Sequence, residues 1–265
     1  MKTALTIAGS DCSGGAGIQA DLKTFSALGV YGMSVITSVT SQNTTGVFDV
    51  FDIPQQQVDS QLNAVFEDIF PDAVKIGMVS SAGIIHTIAD DLERYAPKHI
   101  VLDTVMVSTS GHRLLQPDAL SAMTQRLFPI AEVITPNIPE AEILADCSIA
   151  SAKDMEHAAK IIFEKYHTAV LIKGGHRVND SNDLLLGTDI REWFSAPRID
   201  NHNTHGTGCT LSSAIAAGLA KGLELPAAVT EAKHYISEAL AAMLNLGKGS
   251  GPLLHNFAAV KKISL

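Results

Sequence analysis

Asn203-Thr204-His205-Gly206-Thr207-Gly208-Cys209 runs directly into Thr210-Leu-Ser-Ser-Ala-Ile-Ala-Ala-Gly-Leu-Ala-Lys-Gly222. Two glycines flanking a threonine allow successive backbone N–H groups to turn inward. The Ala-rich segment behind them is a strong helix former, so the spacing predicts amides gathered at a helix N-terminus. Such a cradle suits a phosphoryl group in transfer, because aimed amides at the positive end of a helix dipole stabilise the spread negative charge without reorganising. Cys209 stands where that group would meet an incoming nucleophile, a place where a carboxylate would be the commoner base. A helix N-terminus lowers a thiol pKa from roughly 8.5 toward neutrality, so the expectation is a cysteine able to take a proton. A plainer reading stands beside it, a helix cap followed by a buried cysteine acting as a small hydrophobe.

Outward from the cradle, the chain alternates strands and helices. Ala4–Ala8 reads as a short apolar strand, Gly9-Ser-Asp-Cys-Ser-Gly-Gly-Ala-Gly17 as a glycine-rich turn, and Ile18–Leu28 as a helix. Strand, glycine turn and helix form a ligand edge in α/β sheets. The turn is no Walker loop, since no Gly-Lys-Ser/Thr closes it, and it completes no dinucleotide fingerprint. Asp11 reads as a turn residue or a site group, and Asp21 as an exposed first-turn carboxylate or a site group. Tyr31–Thr40 is a strand, Ser41–Gly46 a polar turn, and Val47–Ile53 an alternating strand, which predicts a small antiparallel flap able to cover a ligand. Gln42 offers donor and acceptor in one plane, as an amino group beside a ring nitrogen requires; a turn-stabilising amide is the alternative.

Further on come a helix over 58–70, a strand over 72–79, a helix over 82–95 and a strand over 99–103 ending in Asp103. Ligands gather at carboxyl ends of strands, which points Asp103 toward a metal or water. After a loop over 104–111 and a helix from Pro117, strand 132–135 leads into Pro136-Asn-Ile-Pro-Glu-Ala-Glu142. Asn137, Glu140 and Glu142 are oxygen ligands of the kind Mg²⁺ uses together with phosphates, or simply a helix start with acids in its first turn. A helix over 152–166 precedes a strand, 169–176, in which Lys173 offers a point charge for phosphate. A hairpin over 183–187 and 191–194 and helices over 207–222 and 226–245 close the chain. His205 reads as a structural hydrogen-bonder.

The 265 residues are 46% hydrophobic, with no linker, repeat or charge block, so one α/β domain over 1–265 is expected. The net charge is −9 and no basic run exceeds Lys261-Lys262, which excludes an electrostatic footprint for nucleic acid or an anionic membrane. No apolar stretch has the length of a signal peptide or a membrane span, so the cytoplasm is the expected compartment. Cys12, Cys147 and Cys209 have no metal spacing and no pairing framework.

Six stretches together, Ala8–Asp21, Lys75-Ile-Gly-Met78, Asp103-Thr-Val-Met106, Thr135–Glu142, Lys173-Gly-Gly-His176 and Asn203–Cys209, resemble in sequence and order the landmarks of one family. It is the hydroxymethylpyrimidine/phosphomethylpyrimidine kinases of thiamine biosynthesis, within the ribokinase-like superfamily. The resemblance spans nearly the whole chain. It implies a three-layer αβα fold with a central, mostly parallel sheet and a small antiparallel flap. It also implies ATP-dependent phosphorylation of hydroxymethylpyrimidine and then of its monophosphate, with Mg²⁺, in a homodimer. By the same resemblance Gln42 and Asp21 bind the pyrimidine, with Gly9, Val105 and Met78 around it. Asp103, Asn137, Glu140 and Lys173 serve MgATP, Asp103 and Glu140 holding the metal. Gly206, Thr207, Gly208 and Cys209 form the catalytic cradle. Three positions depart from the family pattern: Cys12 replaces a proline, Thr109 a frequent lysine, and His202 another lysine. A pyridoxal kinase of the same superfamily is the alternative reading, and a pyrimidine-binding protein without catalysis the third.

Overall fold

The computed structural model describes residues 1–106, 118–174, 182–196 and 199–263. Of the expectations above, Thr109, the helix start at Pro117, and Gly175-His176 lie outside the described residues.

The elements run β1 (Thr3–Asp11), α1 (Gly17–Ala27), β2 (Tyr31–Asn43), β3 (Gly46–Asp52), α2 (Gln55–Phe66), β4 (Ala73–Ile76), α3 (Ala82–Tyr95), β5 (Ile100–Leu102) and α4 (Ala119–Ala122). They continue β6 (Val133–Ile134), α5 (Ile138–Ala145), α6 (Ala152–Tyr166), β7 (Ala169–Ile172), β8 (Asp183–Gly187), β9 (Ile190–Phe194), α7 (Thr207–Ala220), α8 (Leu225–Ala241) and α9 (Phe257–Ile263). The strands form one sheet in the order β3-β2-β1-β4-β5-β6-β7-β8-β9. Its centre, β2 through β7, is parallel, while β3 at one edge and β8–β9 at the other are antiparallel. The mostly parallel α/β sheet and flap are those anticipated.

Period-two alternation sorts the strands between two cores. Leu5, Ile7, Val74, Ile76, Ile100, Leu102, Ile134, Val170 and Ile172 pack on the side of α2, α3, α5 and α6. Ala4, Ala73, Val101, Val133 and Leu171 pack on the other side, against α7 and α8. From Thr210 to Ala220, α7 is buried throughout, which its Ala-, Ser- and Gly-rich surface permits by letting backbones approach closely. It is the central helix of that layer.

Several boundaries differ from the sequence reading: β1 runs on to Asp11, into the expected glycine turn, and β4, β7 and α8 end early, at Ile76, Ile172 and Ala241. β2 continues through Gln42 and Asn43, and the turn shrinks to Thr44-Thr45, because the Asn43 side chain accepts from the Thr45 N–H and hydroxyl and so closes the hairpin itself. The helix expected over 58–70 starts at Gln55, behind Pro54, and stops at Phe66. An additional short helix, α9, follows α8; its residues carry too short a pattern to announce a helix. The flap is tied down at its tip, where Thr44 Oγ1 accepts from the N–H groups of Lys248 and Gly249.

Candidate active site

Two residues beyond the small apolar row Ala4, Ala73, Val101, Val133 and Leu171, the same sheet face turns polar: Thr6, Lys75, Asp103, Thr135 and Lys173. Strand parity alone aligns these five across neighbouring strands, the last four at the carboxyl ends of theirs, beside the point where β1 and β4 adjoin and the strand order reverses. The N-terminus of α7 lies over them. At Gly208 a Cβ would come within 3.4 Å of both Asp103 Oδ2 and Lys173 Nζ.

Gly206 is the cap of α7, with φ 81°, and a Cβ on it would fall 1.9 Å from the Gly15 carbonyl oxygen, so this residue must be glycine. The two glycine turns are therefore pressed together. His205 Nε2 meets Asp11 Oδ2 at 2.9 Å across the same junction, as a structural hydrogen-bonder. Asp11 acts as a turn residue, accepting from the N–H groups of Ser13, Gly15 and Ala16 and the Ser13 hydroxyl. Burial pushes its carboxyl up, but the His205 and Ser13 contacts and the loop amides outweigh it and hold the group far below the usual carboxylate range.

The cradle is narrower than expected. Thr207 N–H is spent on the Thr204 carbonyl and Thr210 N–H on that of Gly206, so the amides that helix geometry leaves for an anion are those of Gly208 and Cys209. The thiol departs further from expectation. Burial pushes Cys209 up to about 11, with Asp21 and Asp103 adding to the rise and Lys75 and the Gly17 amide opposing it. The helix end does not bring it toward neutrality, because desolvation and two carboxylates outweigh the dipole.

Asp21 is also corrected. It is not exposed: its carboxylate is fully buried and accepts from Lys75 Nζ at 2.9 and 3.0 Å, Thr6 Oγ1 at 2.6 Å and Ser213 Oγ at 2.7 Å. Nothing of it faces a ligand here, so direct pyrimidine contact is withdrawn; it holds Lys75. Thr6 and Ser213 are not singled out in the sequence reading, and Lys75 and Thr135 stand there only as the first residues of landmark stretches, without a role. A signal existed for one of them, since Lys75 interrupts the apolar strand Ala73-Val-Lys-Ile76.

On the other side of the cradle, Lys173 Nζ lies 2.9 Å from Asp103 Oδ1, which also accepts from Thr135 Oγ1 at 3.0 Å. Burial raises Asp103, but Lys173 and Lys75 hold its carboxyl below the usual value. Asn137 and Glu140 form a capping box at the start of α5, the plainer of the two readings. Glu140 Oε2 accepts from Asn137 N–H and the Thr104 hydroxyl, and Oε1 from Met106 N–H at 3.3 Å. Burial raises Glu140 and Lys173 opposes that rise. The Glu140 Oε1 oxygen keeps a lone pair beyond the Met106 contact. Two carboxylates against the single ammonium of Lys173 leave an excess of negative charge and an all-oxygen donor set, which fits Mg²⁺ held by one or two carboxylates plus phosphates. Among the described residues no group of three or more His, Cys, Asp or Glu forms a closed metal cage.

Gln42 lies at the end of β2, half-buried, its backbone N–H and C=O both set against Cys12 Sγ. Gly9 is buried against Ser38 and Met78, and Val105 and Met78 are half-buried, each just past the end of its strand.

The phosphomethylpyrimidine kinase family profile matches residues 11–254. The hydroxymethylpyrimidine/phosphomethylpyrimidine kinase of Rhizobium meliloti strain 1021 is 52% identical over 256 residues, 95% of this chain and 96% of that one. Among solved structures, the phosphomethylpyrimidine kinase of Clostridium difficile 630 aligns with a TM-score of 0.81 at 50% identity, covering 90% of this chain and 99% of that one. An ADP complex of Bacillus subtilis pyridoxal kinase aligns with a TM-score of 0.90 at 38% identity, covering 98% and 99%. With the α7 N-terminus set over an Asp–Lys pair and relatives matching from end to end, the chain is a phosphotransferase and belongs to the phosphomethylpyrimidine kinase family.

Proposed function

We propose that the chain, as one domain over residues 1–265, phosphorylates 4-amino-5-hydroxymethyl-2-methylpyrimidine on its hydroxymethyl oxygen and then phosphorylates the monophosphate to the diphosphate, in thiamine biosynthesis. The observation that carries this reading is the closure of the α7 N-terminus onto the Asp103–Lys173 pair, 3.4 Å from a Cβ at Gly208. MgATP, when bound, supplies the phosphoryl group, with Asp103 and Glu140 holding the metal and Lys173 and Asn137 beside the phosphates. The Gly208 and Cys209 amides stabilise the charge that builds on the transferring group. Gln42 reads the pyrimidine's amino group and adjacent ring nitrogen, and Gly9, Met78 and Val105 bound its pocket.

The two steps differ in their proton demand. In the first, the alcohol oxygen forms the new O–P bond while ADP leaves, and its proton passes to the Cys209 thiolate. In the second, the attacking phosphate has a second pKa near 6 and is already ionised. Since the thiol rests protonated, the base is its small, strongly basic thiolate fraction, and the first step gains rate with rising pH while the second does not.

Resolving mono- and diphosphate made from hydroxymethylpyrimidine and MgATP tests the reading; no phosphorylated pyrimidine would end it. The likeness to a pyridoxal kinase at a TM-score of 0.90 favours the second reading, phosphorylation of pyridoxal. Competition of the two alcohols at equal concentration separates them. A binding protein without catalysis is disfavoured by the intact Asp103, Glu140 and Gly206–Cys209, and ATP turnover decides it. For the metal, Glu140→Gln raises the Mg²⁺ concentration needed for half-maximal rate, because it removes a carboxylate from an oxygen-donor site; an unchanged requirement moves the metal elsewhere. A homodimer in the cytoplasm, without nucleic-acid or membrane partners, completes the reading, and sedimentation equilibrium tests the dimer. No described helix is long and apolar enough to cross a membrane.

A further inference from the structure

We infer that Lys75 is a positioning residue for Cys209: clamped by Asp21 beneath α1 and α7, its ammonium is the fixed cation that steadies the thiolate form of the cysteine. The inference rests on the proposed role of Cys209 as base.

Lys75 and Asp21 have no exposed side-chain surface. A buried ion pair stabilises a fold no better than well-packed apolar residues of like volume, so its presence asks for a use. Room has been made for it. A Cβ at Gly77 would lie 2.5 Å from Lys75 Nζ and 2.9 Å from Ala8 Cβ, so an empty position just past the end of β4 admits the ammonium.

The pair is built into the contact between α1 and α7. Gly17 N–H is directed at the Cys209 sulfur, and Ser213 Oγ donates to Asp21 Oδ1 at 2.7 Å. Gly17 and Asp21 are one turn apart on α1, as Cys209 and Ser213 are on α7, so these are two successive rungs between the same helix faces. Lys75 joins the second rung from β4. Asp21 is saturated by Lys75, Thr6 and Ser213, so neither charge can swing away without leaving buried groups unpartnered.

Four charges from four elements surround the thiol: Lys75 of β4, Lys173 just past β7, Asp21 of α1 and Asp103 just past β5. The carboxylates disfavour a thiolate and the ammoniums favour it. Lys75 is the largest influence opposing burial at the sulfur. Lys173, by contrast, is engaged by Asp103 at 2.9 Å.

The test uses the full chain in a Cys12→Ser, Cys147→Ser background, so that Cys209 alone reports. Its rate of alkylation by iodoacetamide is followed from pH 7 to 10. Lys75→Met should slow alkylation about tenfold or more, tenfold being the thiolate lost per unit of pKa. Asp21→Asn keeps the shape but removes the carboxylate that holds Lys75 charged, and because Lys75 outweighs Asp21 at the sulfur it should slow alkylation too. A merely packing role would loosen the site and speed alkylation in both variants; that result, or Lys75→Met within twofold of its parent, overturns the inference. Should Lys75→Met not fold by circular dichroism, the near-isosteric Asp21→Asn decides alone, and accelerated or unchanged alkylation there overturns it. Initial rates separate this from the proposed function. Slower alkylation in Lys75→Met with a selective loss of the first phosphorylation supports both, whereas slower alkylation with equal loss of both steps upholds the coupling and removes Cys209 as base.

Discussion

Lys75 and Lys173 occupy equivalent places in this sheet with two strands between them, each two residues beyond an apolar neighbour on the face that α7 covers, yet their surroundings differ. Lys75 has no exposed side-chain surface and takes its carboxylate from a helix laid across the strand. Lys173 keeps 16% of its side chain exposed and takes its carboxylate from another strand end. Both amines are buried enough to disfavour charge, and both are held charged by the adjacent carboxylate. Access, not residue type, divides them. A sealed ammonium can act on its neighbours but not on a substrate phosphate, whereas an open one can do both.

The largest expected effect tests what the sealed side supports. Cys209→Ala should lower the first phosphorylation roughly 10²–10⁴-fold, the range for loss of a general base, and the second far less, because the Gly208 amide survives the change. Separate initial rates for the two substrates measure this. Equal losses would place the cysteine among packing residues and leave the sealed side without a chemical role.

Next comes the open side. Lys173→Met removes a charge-assisted contact to phosphate at a cost of about 1.5–3 kcal/mol, so kcat/KM for ATP should fall about 10- to 150-fold. If ATP kinetics stay unchanged, Lys173 is as structural as Lys75 and the contrast between them collapses. Gln42→Leu belongs to neither ammonium and sharpens the division into two ligand regions. It should weaken pyrimidine binding by about 1–3 kcal/mol while sparing ATP. Comparable losses in both titrations would remove Gln42 from the pyrimidine site.

The smallest effect is on stability. Asp11 and Asp103 are held below the usual 3.8, so the stability they contribute is complete above that value and is lost as pH falls through their folded-state values. The thermal midpoint should therefore be level between about pH 5 and 7 and drop below about pH 4. Asp11→Asn should lower the plateau and shallow the drop, as melting at a series of pH values would show. A drop of the same depth in that variant would deny the His205–Asp11 junction its part.

Much of the architecture was legible because it depends on short-range pattern. The helix Ala152–Tyr166 and the hairpin of β8 and β9 follow from periodicity, and the helix at Thr207 from glycine turns before an Ala-rich run. Asn137 and Glu140 were legible as a helix start for the same reason, three residues apart. Boundaries failed where a side chain altered the local rule, as Asn43 did by closing the turn after a longer β2. The site was legible in its open half, Asp103, Lys173 and the cradle, whose residues stand at element ends. Its sealed half was not, because Asp21 on a helix reads as solvent-facing until α7 is laid over it.

What the sequence by itself determined is the order of strands and helices, the glycine turns, and which residues sit at the carboxyl ends of strands, since propensity, parity and capping act over a few residues. Tertiary structure alone decided the partners: Asp21 with Lys75 and Ser213, Asp11 with His205, Asp103 with Lys173. It also decided the thiol. A helix N-terminus by itself would make Cys209 acidic, but proton affinity is a sum over desolvation and every nearby charge. Those charges come from α1, β4 and the segments that follow β5 and β7, and only folding brings them to one sulfur.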